Sequence, residues 1–163
     1  MGVSGCGKTT VGKMTAKTLG VSYYEGDEYH PQENVEKMSR GISLNDKDRD
    51  SWLQRLSDLI QEKLEKGETG VLSCSALKEK YRNRLMVDPN KVHFIYLKGS
   101  YRLIRERMEK RINHYMPADL LISQFETLEE PDQIFTIEID QSPEKILRNV
   151  KFYITNNICL NHA

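Results

Sequence analysis

Apolar and polar positions alternate along the chain with two different periods, and the changes of period predict the elements. Residues 7–19 place Val11, Met14, Thr15 and Thr18 at helical spacing, with Gly20 as a stop. Residues 21–25 are a short run suited to a strand. Pro31 fits the first turn of a helix that continues to about residue 40 and ends at Gly41. A longer helix opens at Asp46 or Asp48 and keeps Trp52, Leu56, Leu59, Ile60 and Leu64 on one face until Gly67. Residues 70–73 predict a strand, and residues 76–85 a helix before the Asp88-Pro89-Asn90 turn. Residues 92–97 are apolar nearly throughout, as a strand buried on both faces is. Helices over 101–111 and 117–125, a strand over 134–139 and a helix from 143 to about 153 follow; the tail from 155 has no usable pattern. Strands separated by helices predict a parallel sheet between helical layers, a three-layer α/β fold.

The first ten residues carry the most specific chemistry. Gly2 to Thr9 read G-x-x-x-x-G-K-T, a phosphate-binding loop. Gly2, Gly5 and Gly7 allow backbone conformations that turn successive N–H groups toward an anion, and the following helix adds its positive end. The candidate nucleotide-binding set is therefore Gly2, Val3, Ser4, Gly5, Cys6, Gly7, Lys8, Thr9 and Thr10. Lys8 is a flexible charge able to reach the β- and γ-phosphates, and the Thr9 hydroxyl is the candidate Mg²⁺ ligand. Such a loop ordinarily follows a buried central strand, whereas only Met1 precedes Gly2. The expectation is a sheet whose first central strand is missing. About five buried apolar residues, at roughly 1.5–3 kcal/mol each, would rival the whole stability of a domain.

Composition narrows the class. A chain of 163 residues is long enough for one domain with a proper core. The 24 basic and 24 acidic residues balance, so no net field favours nucleic acid or an anionic membrane. Cys6, Cys74 and Cys159 are an odd count without C-x-x-C spacing, which argues against both a disulfide framework and a zinc site. No apolar run has the length of a membrane span, and the N-terminus lacks a signal-peptide layout. A cytoplasmic location is the expectation.

Other stretches hold candidate chemistry. Tyr24 to His30 lie at the end of the second strand, where ligands of open α/β sheets bind. Asp27 should face the phosphate loop, and a kinase needs a carboxylate there to orient the acceptor hydroxyl and take its proton. Glu25, Glu28 and His30 are open between that site and a solvated acidic turn. The mixed charges of 37–49 read, on spacing alone, as wet surface. Around Cys74-Ser75-Ala76-Leu77-Lys78 no Asp is present to hold Mg²⁺, so that duty falls on Thr9 with the Glu25/Asp27 pair. Lys78 and Arg82, four apart, are either an anion clamp or a solvated stripe. Arg102–Glu106, Arg105–Glu109 and Glu106–Lys110 are i,i+4 pairs, which leaves Arg107 and Arg111 on their own face as candidates for stabilising a phosphoryl group. His30 and His114 sit in loops with no metal-ligand spacing.

Together these stretches resemble the gluconate kinase family of small P-loop sugar-acid kinases. The resemblance rests on Gly2 to Thr9, Gly26-Asp27 with His30-Pro31, Leu44-Asn45-Asp46 with Asp48-Arg49 and Trp52-Leu53, Cys74-Ser75-Ala76-Leu77-Lys78 with Tyr81-Arg82, Tyr96-Leu97-Lys98-Gly99, and Ser123-Gln124-Phe125-Glu126-Thr127-Leu128. It implies ATP-dependent phosphorylation of D-gluconate at its 6-hydroxyl, feeding the pentose phosphate route. It also implies a nucleoside-monophosphate-kinase-like α/β fold, a single domain with a substrate-side insertion at about 31–50 and a mobile helical lid at about 105–125, and a homodimer. By position it makes Lys8, Asp27, Arg107 and Arg111 catalytic, and His30, Arg49, Lys78, Arg82, His114 and Gln124, with Asp27, substrate-binding. Glu25 stands where relatives usually have Asp. Two alternatives stay open: a P-loop kinase for another acceptor such as shikimate or a nucleotide, and a non-catalytic variant of the fold.

Overall fold

The computed structural model describes residues 1–110 and 118–158. Helix α1 (Lys8–Leu19) leaves the glycine-rich loop and ends at Gly20, whose left-handed φ of 68° closes it. Strand β1 (Ser22–Glu25) runs into a single 3-10 turn, Gly26–Tyr29, and then α2 (Gln32–Ser39). The long α3 (Asp46–Glu65) starts on a capping box, in which the Asn45 side chain accepts from the Asp48 N–H and Asp48 accepts from the Asn45 N–H. That places Asp46, not Asp48, at the helix start. Next come β2 (Gly70–Ser73), α4 (Glu79–Leu85), β3 (Ile95–Lys98) and α5 (Tyr101–Glu109). They are followed by α6 (Ala118–Thr127), β4 (Phe135–Glu138) and α7 (Pro143–Asn157).

The strands form two parallel pairs instead of one continuous sheet. Ser22 to Glu25 lie opposite Gly70 to Ser73, and Ile95 to Lys98 opposite Phe135 to Glu138. Met1 sits between the pairs. Its amino group donates to the Ile95 carbonyl at 2.6 Å and its carbonyl accepts from the Leu97 N–H at 3.0 Å; the Gly2 N–H donates to the Ser75 carbonyl at 3.2 Å. Burial of that amino group pushes its pKa down. A cavity of about 620 Å³ lies beside Met1, walled by Val11, Ile60, Leu72, Phe94, Ile95 and Val150 among others. Val92 to Phe94, expected within a strand, are not in one; on the cavity side the main chain of β3 bonds Met1, at Ile95 and Leu97.

Two further expectations are corrected. The helix expected from residue 76 begins at Glu79, because Ala76 takes a left-handed φ of 44° that no helix accommodates. Thr18 is exposed, and α1 instead buries Val11, Gly12, Thr15 and Ala16. Gly12 is needed there: a Cβ would come within 2.6 Å of Ser73 Oγ and 2.7 Å of the Tyr23 ring, so the helix lies directly on β1 and β2. Packing is split into two clusters. One joins Val3, Cys6 and Val11 to Ile104, Ile137 and Val150; the other groups Trp52, Leu56, Tyr81 and Leu85. The loop at the end of β1 lies beside the second cluster, since Trp52 Nε1 donates to the Gly26 carbonyl at 2.7 Å. Helix α7 runs to Asn157, so the start of the patternless tail is helical. No described helix is long and apolar enough to cross a membrane.

Candidate active site

The loop from Gly2 to Gly7 is built to present backbone. Gly5 and Gly7 are left-handed, at φ 81° and 99°, and Gly7 opens α1 without a side-chain cap. The first N–H groups of α1 are thus left to an anion. Val3 and Cys6 point into the core and contribute only main chain. Gly5 is held against α5, where a Cβ would meet Met108 at 2.9 Å and Ile104 at 3.0 Å. Lys8 Nζ donates to the Val3 carbonyl at 3.0 Å, which keeps its charge over the loop. Gln124, expected on the substrate side, reaches the same loop: its Oε1 accepts from the Ser4 N–H at 2.6 Å.

Two carboxylates follow at the end of β1. Glu25 Oε2 accepts from Thr9 Oγ1 at 2.7 Å and from the Tyr23 hydroxyl at 2.6 Å. Burial and the hydrogen bond to Glu25 push Tyr23 up to about 12, so it stays a donor. The glutamate thereby reaches the hydroxyl singled out for a divalent cation. Among the described residues no three His, Cys, Asp or Glu side chains form a metal cage. A Mg²⁺ ion bound through one or two protein oxygens and phosphate oxygens needs no such cage, so Thr9 with Glu25 behind it fits the ion. Asp27 keeps an exposed surface, yet many protein atoms lie around its carboxyl. That desolvation raises its carboxyl above the ordinary range; the nearby Lys8 charge opposes the rise and Glu25 adds to it.

The residues expected on the acceptor side come from the turn before α2, from α3 and from the loop before α4. The His30 ring stacks on Trp52, with centroids 4.5 Å apart and planes at 12°. The buried amide of Asn34 lies 3.3 Å from His30 Nδ1. Burial first, and then the charge of Arg49, pull His30 down to about 4, so the ring is neutral at pH 7. Arg49 donates to the Leu44 carbonyl and lies over the Tyr81 ring, 5.8 Å from its centre. Asp46 gathers Lys78 at 2.9 Å, Lys80 at 2.6 Å and the Tyr81 hydroxyl, and these hydrogen bonds hold its carboxyl well below the usual range. Asp46, Asn34 and Trp52 are the members of this group that pattern reading missed as site residues. They look like an ordinary helix start, a polar helix position and a core aromatic.

Other expected residues are placed differently. Arg82 is buried, and its Nη1 donates to the Ala76 and Leu77 carbonyls at 3.2 and 3.0 Å, so it braces the strained loop instead of lining the crevice. Arg107 donates through Nη2 to the Ile139 carbonyl at 2.5 Å. Arg111 and His114 lie outside the described residues.

Comparison with known proteins agrees with this geometry. The shikimate kinase family profile matches residues 4–150. The thermosensitive gluconokinase of Escherichia coli K12 is 46% identical over 142 residues, covering 86% of this chain and 76% of that protein. The gluconokinase of Arabidopsis thaliana is 39% identical and covers 97% of this chain and 92% of its own length. The chain belongs to the gluconokinase family. Among solved structures, a gluconokinase from Sinorhizobium meliloti 1021 superposes with a TM-score of 0.83 at 39% identity, covering 96% of this chain and 94% of that one. An unliganded sugar kinase from Janibacter gives a TM-score of 0.88 at 40% identity, with 95% and 91% coverage. A shikimate kinase from Aquifex aeolicus, at 16% identity and a TM-score of 0.60, shares the fold alone. Within the gluconokinase family, then, this chain is a P-loop kinase of α/β layout.

Proposed function

We propose that the protein transfers the γ-phosphoryl group of ATP to the 6-hydroxyl of D-gluconate, giving 6-phospho-D-gluconate. The observation that carries the reading is the arrangement at the end of the sheet: a glycine-rich loop with Lys8 folded over it, and Asp27 on the turn directly after β1. The loop amides and the first turn of α1 hold the phosphates, and Lys8 follows the charge of the transferring group. Asp27 orients the 6-hydroxyl and takes its proton as the oxygen attacks. Mg²⁺ supplies charge neutralisation between the phosphates when bound, and Thr9 with Glu25 would hold it. Arg49 and Lys78 offer positive charge for the gluconate carboxylate, the latter now paired with Asp46. Arg107, Arg111 and His114 form the lid side in this reading.

The finer architecture belongs to the same proposal: one domain with an acceptor-side insertion at about 31–50, a lid at about 105–125, a homodimeric state and a cytoplasmic location. The interval between β2 and β3 is a strand position that, among the described residues, Met1 enters. Its volume of about 620 Å³ and its apolar walls support that reading.

The test is ADP release with gluconate, shikimate and nucleoside monophosphates as acceptors. Turnover of gluconate well above the others is expected. Preference for shikimate or a nucleotide, or no turnover with any acceptor, would reject the assignment.

A further inference from the structure

Asn34 is a buried polar residue on the acceptor side that the mechanism leaves unused. It is 3% exposed, and both amide hydrogens of its side chain are engaged. Its Nδ2 lies 2.8 Å from the Asp48 carbonyl oxygen and 3.3 Å from His30 Nδ1. The first contact fixes which end of the amide is nitrogen, since the reverse would set oxygen against oxygen. The second contact then fixes the histidine. An amide nitrogen only donates, so Nδ1 is the acceptor and the proton of the neutral ring resides on Nε2.

The ring is also held in place. Trp52, against which it stacks, is anchored to the Gly26 carbonyl, and the His30 backbone N–H closes the turn on the Asp27 carbonyl at 3.4 Å. Among the described residues Nε2 has no hydrogen-bond partner, and no buried side-chain nitrogen or oxygen goes without one, so this N–H is not sealed away. It sits on the turn that carries Asp27, close enough to Arg49 to feel its charge.

We propose that Asn34 is a positioning residue that locks His30 as the Nε2–H tautomer, and that His30 presents this N–H as an uncharged donor to an oxygen of the sugar acid. The substrate half of this rests on the function proposed above. An uncharged donor three residues from Asp27 recognises an oxygen without adding positive charge that would weaken Asp27 as a base.

The lock is read without substrate, by long-range ¹H–¹⁵N correlation on histidine-labelled protein at pH 7, with the His30 signals assigned by their loss in His30→Gln. Protonated Nε2 and bare Nδ1 are expected; a protonated Nδ1 or an averaged pair would overturn the lock. Asn34→Asp can only accept, so it should move the proton to Nδ1 and raise KM for gluconate roughly 2- to 12-fold, the worth of one hydrogen bond, with KM for ATP unchanged. A moved proton with an unchanged gluconate KM would overturn the donor role. If that variant does not fold, the histidine itself decides. His30→Gln keeps an N–H near the Nε2 position without help from Asn34 and should raise gluconate KM less than His30→Leu; equal values would reject the donor. A parent protein with the expected tautomer but no gluconate turnover would overturn the proposed function and the donor role with it, leaving the lock standing.

Discussion

Trp52→Phe tests whether one core side chain also holds the site. Trp52 is 1% exposed, donates to the Gly26 carbonyl at 2.7 Å and backs the His30 ring. Phenylalanine keeps a ring for the stack but loses the N–H and part of the indole volume. A buried hydrogen bond is worth about 1–2 kcal/mol, and incomplete filling of the vacated space adds about 1 kcal/mol. The expected loss is thus about 2–3 kcal/mol, and at roughly 2–4 °C per kcal/mol for a chain of this size Tm should fall by about 5–10 °C. The kinetic consequence is separate. With Gly26 and His30 released, KM for gluconate should rise several-fold while KM for ATP stays, because Val3 and Cys6 of the phosphate loop pack in a different cluster from Trp52. Leu56→Ala, on the same helix and fully buried, is the control. It costs about 2–5 kcal/mol by cavity formation but should leave gluconate KM unchanged at 25 °C. Urea melts and steady-state kinetics on both variants decide the matter. If Trp52→Phe melts within 2 °C of the parent (an allowance of roughly half a kcal/mol), or if Leu56→Ala raises KM equally, the coupling is wrong.

Asp27→Asn should reduce kcat by about 10²-fold or more while nucleotide binding persists, and it should remove the acid limb of the pH–rate profile. In the parent that limb lies above the ordinary 3.8, since burial raises the carboxyl; turnover equal to the parent's would remove Asp27 from the role. The stability sign runs opposite to that of a paired carboxylate. The folded state holds the Asp27 proton more tightly, so stability is lost as pH rises from 3.8 through the raised value, and Asp27→Asn should not lower Tm at pH 7. His30 works in the other direction. The unfolded chain takes its proton near 6.5 and the folded protein only near 4, so stability should fall as pH is lowered between them, and less so in His30→Gln; an equal change in unfolding free energy between pH 7 and 5 in parent and variant would refute this. Five apolar residues placed ahead of Met1 should raise Tm and activity, whereas five serines or glycines should not; equal melting curves would show that the cavity is not a strand position.

Periodicity made the α/β layout legible because the long helices each bury one stripe, as α3 does with Trp52, Leu53 and Leu56, and the glycine pattern of the phosphate loop follows directly from backbone geometry. The place of Asp27, just past a parallel strand, was legible for a topological reason, whereas its role stays part of the proposal. Arg82 was not: at helical spacing a charge reads as solvated or substrate-facing, and only the left-handed Ala76 creates the carbonyls it must satisfy. Lys78 read as part of a helix for the same reason, and it caps one instead. The Asn34–His30 contact joins helix and loop through a tautomer, which no spacing rule encodes. Arg107 was expected at a lid because its own helix gave it no partner; its partner, the Ile139 carbonyl, lies 32 positions away.

The cavity beside Met1 also bears on how these molecules behave toward one another. The inner margins of β2 and β3 carry main-chain donors and acceptors with few partners, and such rows recruit extended segments from neighbouring polypeptides. Where that interval is open, recovery on refolding should decline with concentration faster than for a relative whose sheet is continuous; equal recovery would show that the margins are not exposed.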